Sequence, residues 1–188
     1  MKKQIVVIAT LAVCLVLGTA AFAKSNIGFK GVGAKVGFVS PEAGIGSTIG
    51  FGAVVDLGTI TPEIALSGDV MYWGKSNSEF EDKYTYSQIY ISGTAKYFFK
   101  TGKGSKFLPY AGAGLEFVIG KSKFEYSGPY ADYGHGNWST SNSELGVHIV
   151  GGAKYPLDKG KYLFAEARYS MGGFNMFGIF GGIVFSMK

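Results

Sequence analysis

YLFAEARYS, residues 162–170, places Glu166 and Arg168 two apart in a segment whose other positions are nearly all apolar. Side chains of an extended chain alternate sides, so Leu163, Ala165, Ala167 and Tyr169 share one face while Phe164, Glu166 and Arg168 share the other. Such a strand needs oil on one side and room for a carboxylate and a guanidinium on the other. A closed sheet in a bilayer supplies both, with an apolar outside and a polar inside.

The same pattern recurs along the chain. Segments 27–39, 47–57, 63–73, 84–99, 107–119, 144–156, 162–170 and 174–187 each have one consistently apolar parity and one mixed parity, separated by Gly, Pro, Ser, Asn and Asp clusters. In 107–119, for instance, Ala111, Ala113, Leu115, Phe117 and Ile119 oppose Tyr110, Gly112, Gly114, Glu116 and Val118. All eight are long enough to cross a bilayer as tilted strands, which takes about 9 to 11 residues. The connections alternate as well. GTITP, TGKGSK and LDKGK are short; PEAGIG and KSNSEFEDKY are longer, and the link after the fifth segment is a 23-residue loop, Lys121 to Ser143. Short turns at one end and mostly longer loops at the other is the outer-membrane arrangement, although SMGG, before the last segment, is short.

Collected from the mixed parity are Lys35, Lys96, Lys154 and Arg168 against Asp56, Asp69, Glu116 and Glu166, with His148 and Gln88 beside them. An eight-stranded barrel is just wide enough for its side chains to fill it. An unpaired buried charge is costly, so four cations and four anions predict an ion-paired lumen. Inward glycines at 31, 33, 37, 50, 52, 112 and 114 leave room for bulky partners or for water, which keeps a narrow wet pore open as an alternative.

The first 23 residues read as an export signal: Lys2 and Lys3, an apolar run from Ile5 to Leu17, then Ala21 and Ala23 as an A-x-A cleavage site. The run is shorter than the roughly 20 residues of a spanning helix. Cys14 lies inside it after Val13, a poor fit to a lipidation site, and residues 24–188, read as one barrel domain, contain no cysteine and hence no disulfide. The net charge of +5 includes Lys2 and Lys3, and the remaining excess is too small and scattered for nucleic-acid binding. Thirty glycines with 12 tyrosines and 15 phenylalanines are strand and turn chemistry.

With those residues placed, the chain resembles the small eight-stranded outer-membrane barrels, the broad family containing the transmembrane domain of outer membrane protein A and its adhesin-like relatives. The resemblance rests on Ala21-Phe22-Ala23, on PYAGAGLEF at 109–117, on LFAEARYS at 163–170 and on a glycine-rich final strand. It implies a location in the bacterial outer membrane among lipid and lipopolysaccharide, and insertion by the outer-membrane assembly machinery, which reads an aromatic at the C-terminus. This chain departs from that pattern, ending Phe185-Ser186-Met187-Lys188, with Phe185 on the lipid-facing parity. No peptidoglycan-binding domain is expected after the barrel, and the family also includes barrels that modify lipid A or cleave peptides.

Catalysis of that kind wants a histidine near a serine and a carboxylate. His148 has the inward parity of a lumen hydrogen-bonding residue; His135 lies near Asp132, Ser127, Ser139 and Ser141, with no spacing that fixes a triad. GLEFVIGKS, 114–122, misses the phosphate-loop spacing by one residue. Glu79, Glu81 and Asp82 read as a solvated turn and not a metal site, so neither metal nor cofactor is expected. In the 121–143 loop, Tyr130, Tyr133, His135 and Trp138 form a candidate partner-binding surface, Phe124 and Tyr126 fit an interfacial aromatic girdle, and Lys121 and Lys123 are placed to touch lipid phosphates.

The expectation is therefore an all-β, eight-stranded, antiparallel, transmembrane up-and-down β-barrel behind a cleavable signal peptide, non-enzymatic, with a structural or surface-interaction role. A narrow solute channel and a lipid-modifying enzyme are the rival functions. The rival fold is a soluble lipocalin-like barrel, in which the apolar parity would face inward.

Overall fold

The computed structural model describes residues 25–42, 44–79, 82–102, 104–126, 138–157, 160–172 and 174–187. The segment read as an export signal lies outside them, as do Glu81, Tyr130, Tyr133 and His135. The alternating segments form eight strands: β1 (Asn26–Pro41), β2 (Thr48–Thr61), β3 (Ile64–Glu79), β4 (Asp82–Phe98), β5 (Leu108–Tyr126), β6 (Trp138–Leu157), β7 (Lys161–Met171) and β8 (Met176–Ser186). Each pairs antiparallel with its sequence neighbour. β1 closes the ring on β8, from Gly31 opposite Ser186 to Pro41 opposite Met176. Closure removes the unpaired sheet edge that hydrocarbon could not satisfy.

The apolar parity faces out. Phe38, Leu115 and Leu145 are 71%, 70% and 79% exposed, while Glu116, His148, Glu166 and Arg168 are buried. A lipocalin-like arrangement would invert these faces, so that alternative is overturned. At the barrel end that carries the chain termini, outward aromatics pair side by side. The Tyr97 and Phe99 rings lie 5.2 Å apart and those of Phe107 and Tyr155 6.1 Å apart, as in an interfacial girdle. Tight connections at this end use left-handed glycine: Gly160, with φ of 74°, lets β6 reverse into β7, and its carbonyl accepts the Ser186 N–H at 2.6 Å.

Several segments run further than their apolar alternation. β2 continues through most of the expected GTITP turn, and most of KSNSEFEDKY is strand, with β3 and β4 paired as far as Glu79 opposite Asp82. The largest correction concerns the loop. Residues 121–126 belong to β5 and 138–143 to β6, paired from Lys121 opposite Ser141 to Phe124 opposite Trp138. Above the hydrocarbon neither face of a strand needs to be apolar, so pairing continues after the hydrophobic alternation has ended.

Candidate functional site

The lumen is built in layers. Near its centre Asp69 of β3 takes two cations: Lys35 of β1 at 2.6 Å, and Arg168 of β7, whose Nη2 lies 2.6 Å from Oδ1. Arg168 Nη1 also donates to Ser92 Oγ at 3.0 Å, and Nη2 stands 3.5 Å from Glu166. Glu166 accepts from Lys96 at 2.6 Å and from the Tyr110 hydroxyl at 2.9 Å. Four strands, β1, β3, β4 and β7, thus share one buried charge network.

A second group joins β4, β5, β6 and β7. Thr94 Oγ1 lies 2.8 Å from His148 Nε2, and Ser170 donates to Glu116 at 3.1 Å. His148 Nδ1 approaches Glu116 to 3.2 Å without the alignment of a hydrogen bond. The order hydroxyl, imidazole, carboxylate resembles a nucleophile triad. Thr94, however, is 3% exposed, His148 1% and Glu116 2%, so no substrate carbonyl reaches the hydroxyl.

Asp56 and Lys154 sit towards the end that carries the termini. Asp56 accepts from the Tyr162 hydroxyl at 3.1 Å, and the Lys154 ammonium lies 3.6 Å from the centroid of the same ring. All nine charged or imidazole side chains collected from the mixed parity therefore point into the lumen. The pairings they make follow from strand register around the closed ring.

Charge does not fill the whole lumen. Towards the far end Val39, Met71, Trp73, Tyr90, Val118, Met176 and Phe180 form a fully buried apolar plug, backed by Ile45, Tyr86 and Phe174. Below the charges, Val54, Phe164 and Val184 pack with Tyr162. At some of the inward glycines a lumen side chain takes the space a Cβ would fill. A Cβ at Gly37 would meet Phe180 Cδ1 at 2.7 Å, and one at Gly114 would meet His148 Cε1 at 2.6 Å. The plug was missed in the sequence because Trp73, Met71 and Tyr90 alternate with residues as apolar as themselves.

Above the plug is an open cup of about 420 Å³, its lining including Gln88, Ser122, Thr140, Asn142 and Phe174. Its wall is the projecting part of β4, β5 and β6. On the inner face of that wall the register stacks three rows: Tyr84–Phe124–Trp138 at the top, Tyr86–Ser122–Thr140 in the middle and Gln88–Gly120–Asn142 at the base. Phe124 thus has the inward and not the lipid-facing parity, which corrects its assignment to a girdle. Its ring lies 4.7 Å from Tyr84 and 6.3 Å from Trp138. The outer face of the same wall is polar and basic, with Lys83, Lys121 and Lys123 among Ser76, Thr85, Ser139 and Ser141. There Lys123 hydrogen-bonds Glu125 and holds its carboxyl below the usual glutamate range.

Of the candidate partner-binding residues Tyr130, Tyr133, His135 and Trp138, only Trp138 falls among the described ones; it is 50% exposed. Glu79 and Asp82 are backbone register partners at the β3–β4 strand ends, and no metal-binding cluster occurs among the described residues.

A closed eight-stranded meander, apolar outside and ion-paired inside, defines the small transmembrane barrels of the bacterial outer membrane. The family model of the outer membrane protein beta-barrel domain matches residues 9–182, and the chain belongs to that family. No curated protein matches the sequence. Among solved structures it is similar to Neisserial surface protein A, at 17% identity and a TM-score of 0.61, covering 84% of this chain and 97% of that one. The N-terminal barrel of Pseudomonas aeruginosa OprF gives 16% and 0.53, covering 85% and 99%. Ail, the attachment invasion locus protein of Yersinia pestis, gives 13% and 0.52, covering 86% and 99%, and was also solved with the heparin analogue sucrose octasulfate. These likenesses carry the fold, and the family model places the chain in the bacterial outer membrane.

Proposed function

We propose that this is a non-enzymatic barrel that does not conduct, and that it serves as a surface-binding platform through the projecting wall and the 121–143 segment. In this reading residues 1–23 are a removed export signal, residues 24–188 form the mature barrel, and the assembly machinery inserts it through the final strand with Phe185. The termini then lie on the periplasmic side and the cup opens to the outside. The observation that carries the reading is the lumen's layering: an apolar plug above a paired charge network leaves no continuous path, while the wall above it is sheet that no bilayer crossing requires. Neisserial surface protein A and Ail, proteins named for surface and attachment, fit the same role.

Planar-bilayer recording on refolded protein tests it, with a boiled-versus-unboiled gel shift as the control for folding. The wild type is expected to be silent. Deleting 127–137 is expected to preserve the gel shift and to abolish attachment of cells to a surface that the wild type binds. Discrete conductance steps whose size changes in Glu116→Gln or Arg168→Gln would instead make it a channel. A change in lipid A chemistry on overexpression, lost in His135→Ala, would make it an enzyme.

A further inference from the structure

We infer that the cup and the inner face of its wall form a binding site for a neutral saccharide that arrives from outside the cell. This deepens the reading above and rests on it, since the site must open away from the periplasm.

The argument begins with the three rows on β4, β5 and β6. Neighbouring strands stand about 4.8 Å apart and alternate residues of one strand about 6.8 Å apart, so the rows make a lattice with roughly the spacing of linked pyranose rings. The top row is wholly aromatic. Tyr84 is 38% exposed and Trp138 50%, so both side chains keep accessible surface beside their contacts with Phe124. An aromatic ring offers a flat apolar surface to the C–H face of a sugar, and its rigidity keeps the entropic cost of binding low.

One step lower come the groups that recognise hydroxyls. Ser122, Thr140 and Asn142 make no side-chain hydrogen bond among the described residues, whereas Gln88 already accepts from Tyr90 through Oε1 at 2.6 Å and keeps its amide donors. Carboxamides and hydroxyls both donate and accept, which matches the hydroxyls of a sugar. The base is closed by Phe174, which approaches so near Gly120 that a Cβ there would lie 2.8 Å from its Cζ. A cavity of about 420 Å³ falls within the range of small-molecule sites and suits one or two sugar units, with further units running up the aromatic row.

Charge chooses among ligands. No residue of the three rows is ionised. Glu42, at the edge, is occupied: Oε2 accepts from Asn175 at 2.8 Å and Oε1 from the Tyr169 hydroxyl at 3.0 Å. Lys75 donates to the Ser47 carbonyl at 3.2 Å. Lys83, Lys121 and Lys123 have the opposite parity on the wall; Lys83 and Lys123 pair with Glu125 there, and Lys121 also borders the cup. A sulfated chain would be drawn there, and so would the phosphates of surrounding lipopolysaccharide. The inner face suits a ligand without charge.

Trp138 supplies the readout, because Trp73, the other tryptophan, is fully buried. Refolded full-length barrel in detergent is titrated with maltotetraose, triacetylchitotriose and lacto-N-tetraose, with a heparin-derived octasaccharide and delipidated lipopolysaccharide core as further arms, following tryptophan fluorescence and saturation-transfer NMR. At least one of the three neutral oligosaccharides is expected to bind. Binding should weaken tenfold or more in Trp138→Ala, read by NMR, and in Asn142→Ala, while Lys83→Gln with Lys123→Gln leaves it unchanged and every variant keeps its gel shift. Binding by the heparin fragment alone, lost in the lysine double variant, overturns the assignment of the inner face. Binding by the lipopolysaccharide core alone overturns the external source. Binding by none of the probes overturns the inference, and silent recordings with 127–137-dependent attachment would leave the platform reading standing without it.

Discussion

Asp69→Asn is expected to cost the barrel about 3 to 5 kcal/mol, the range for breaking a buried ion pair by removing one partner. The carboxylate answers two cations, Lys35 and Arg168, each 2.6 Å away, and also accepts from Ser92 at 3.3 Å. The amide leaves both cations in place with one neutral oxygen between them. Lys35 has no second carboxylate within ion-pairing distance among the described residues, while Arg168 keeps only the 3.5 Å contact to Glu166. The measurement is urea unfolding in lipid vesicles, followed by the gel shift. Adding Lys35→Met should restore part of the loss, because one of the two uncompensated charges leaves with its partner. Lys100→Gln is the surface comparison: its pair with Glu63, at 3.4 Å, stands in solvent and is worth less than about 1 kcal/mol. If Asp69→Asn costs no more than Lys100→Gln, the network does not hold the ring together.

What the sequence disclosed of this network, and what it hid, follows from two kinds of period. Alternation within a strand is local, so it was enough to send Glu166 and Arg168 to one side and Leu163 and Ala167 to the other. Pairing within the lumen is not local. Asp69 meets Arg168 across 99 residues because the strands tilt and the register staggers around a closed ring, and no spacing along the chain encodes that. The apolar plug was hidden for another reason: Met71 and Trp73 share a parity with Asp69, and a face that turns from charged to apolar along its length reads only as mixed. The projecting wall was hidden by the reverse effect. Beyond Ile119 the outward face of β5 carries Lys121, Lys123 and Glu125, so the lipid-imposed contrast between faces ends and the strand passes for a loop. Phe124 has the parity of Glu116 and Val118 throughout. Its inward direction was legible once the segment was known to be strand.

The other large effect concerns the outside of the ring and depends on depth. Leu115 is on the outward parity near the middle of the apolar part of β5, between Ala111 and Ile119, and stands opposite Gly93 and Val147. Neither neighbour offers an arginine a partner. Leu115→Arg should therefore cost about 2 to 4 kcal/mol in vesicles, the range for a cation at the bilayer midplane on a barrel's lipid face. Ile119→Arg, one turn of the pleat below Lys121, lets the guanidinium reach the interface along its own stem and should cost about 0 to 1 kcal/mol. The contrast matters more than either value. In water both arginines would be welcome on an exposed surface, and a purely steric penalty would not rank 115 above 119. Unfolding the two variants side by side in vesicles reads the gradient directly. Equal costs at the two positions, or none at 115, would mean that the apolar face does not lie in hydrocarbon. A gradient fixes the membrane boundary between Leu115 and Lys121, which leaves the Tyr84–Phe124–Trp138 row beyond the bilayer, in water.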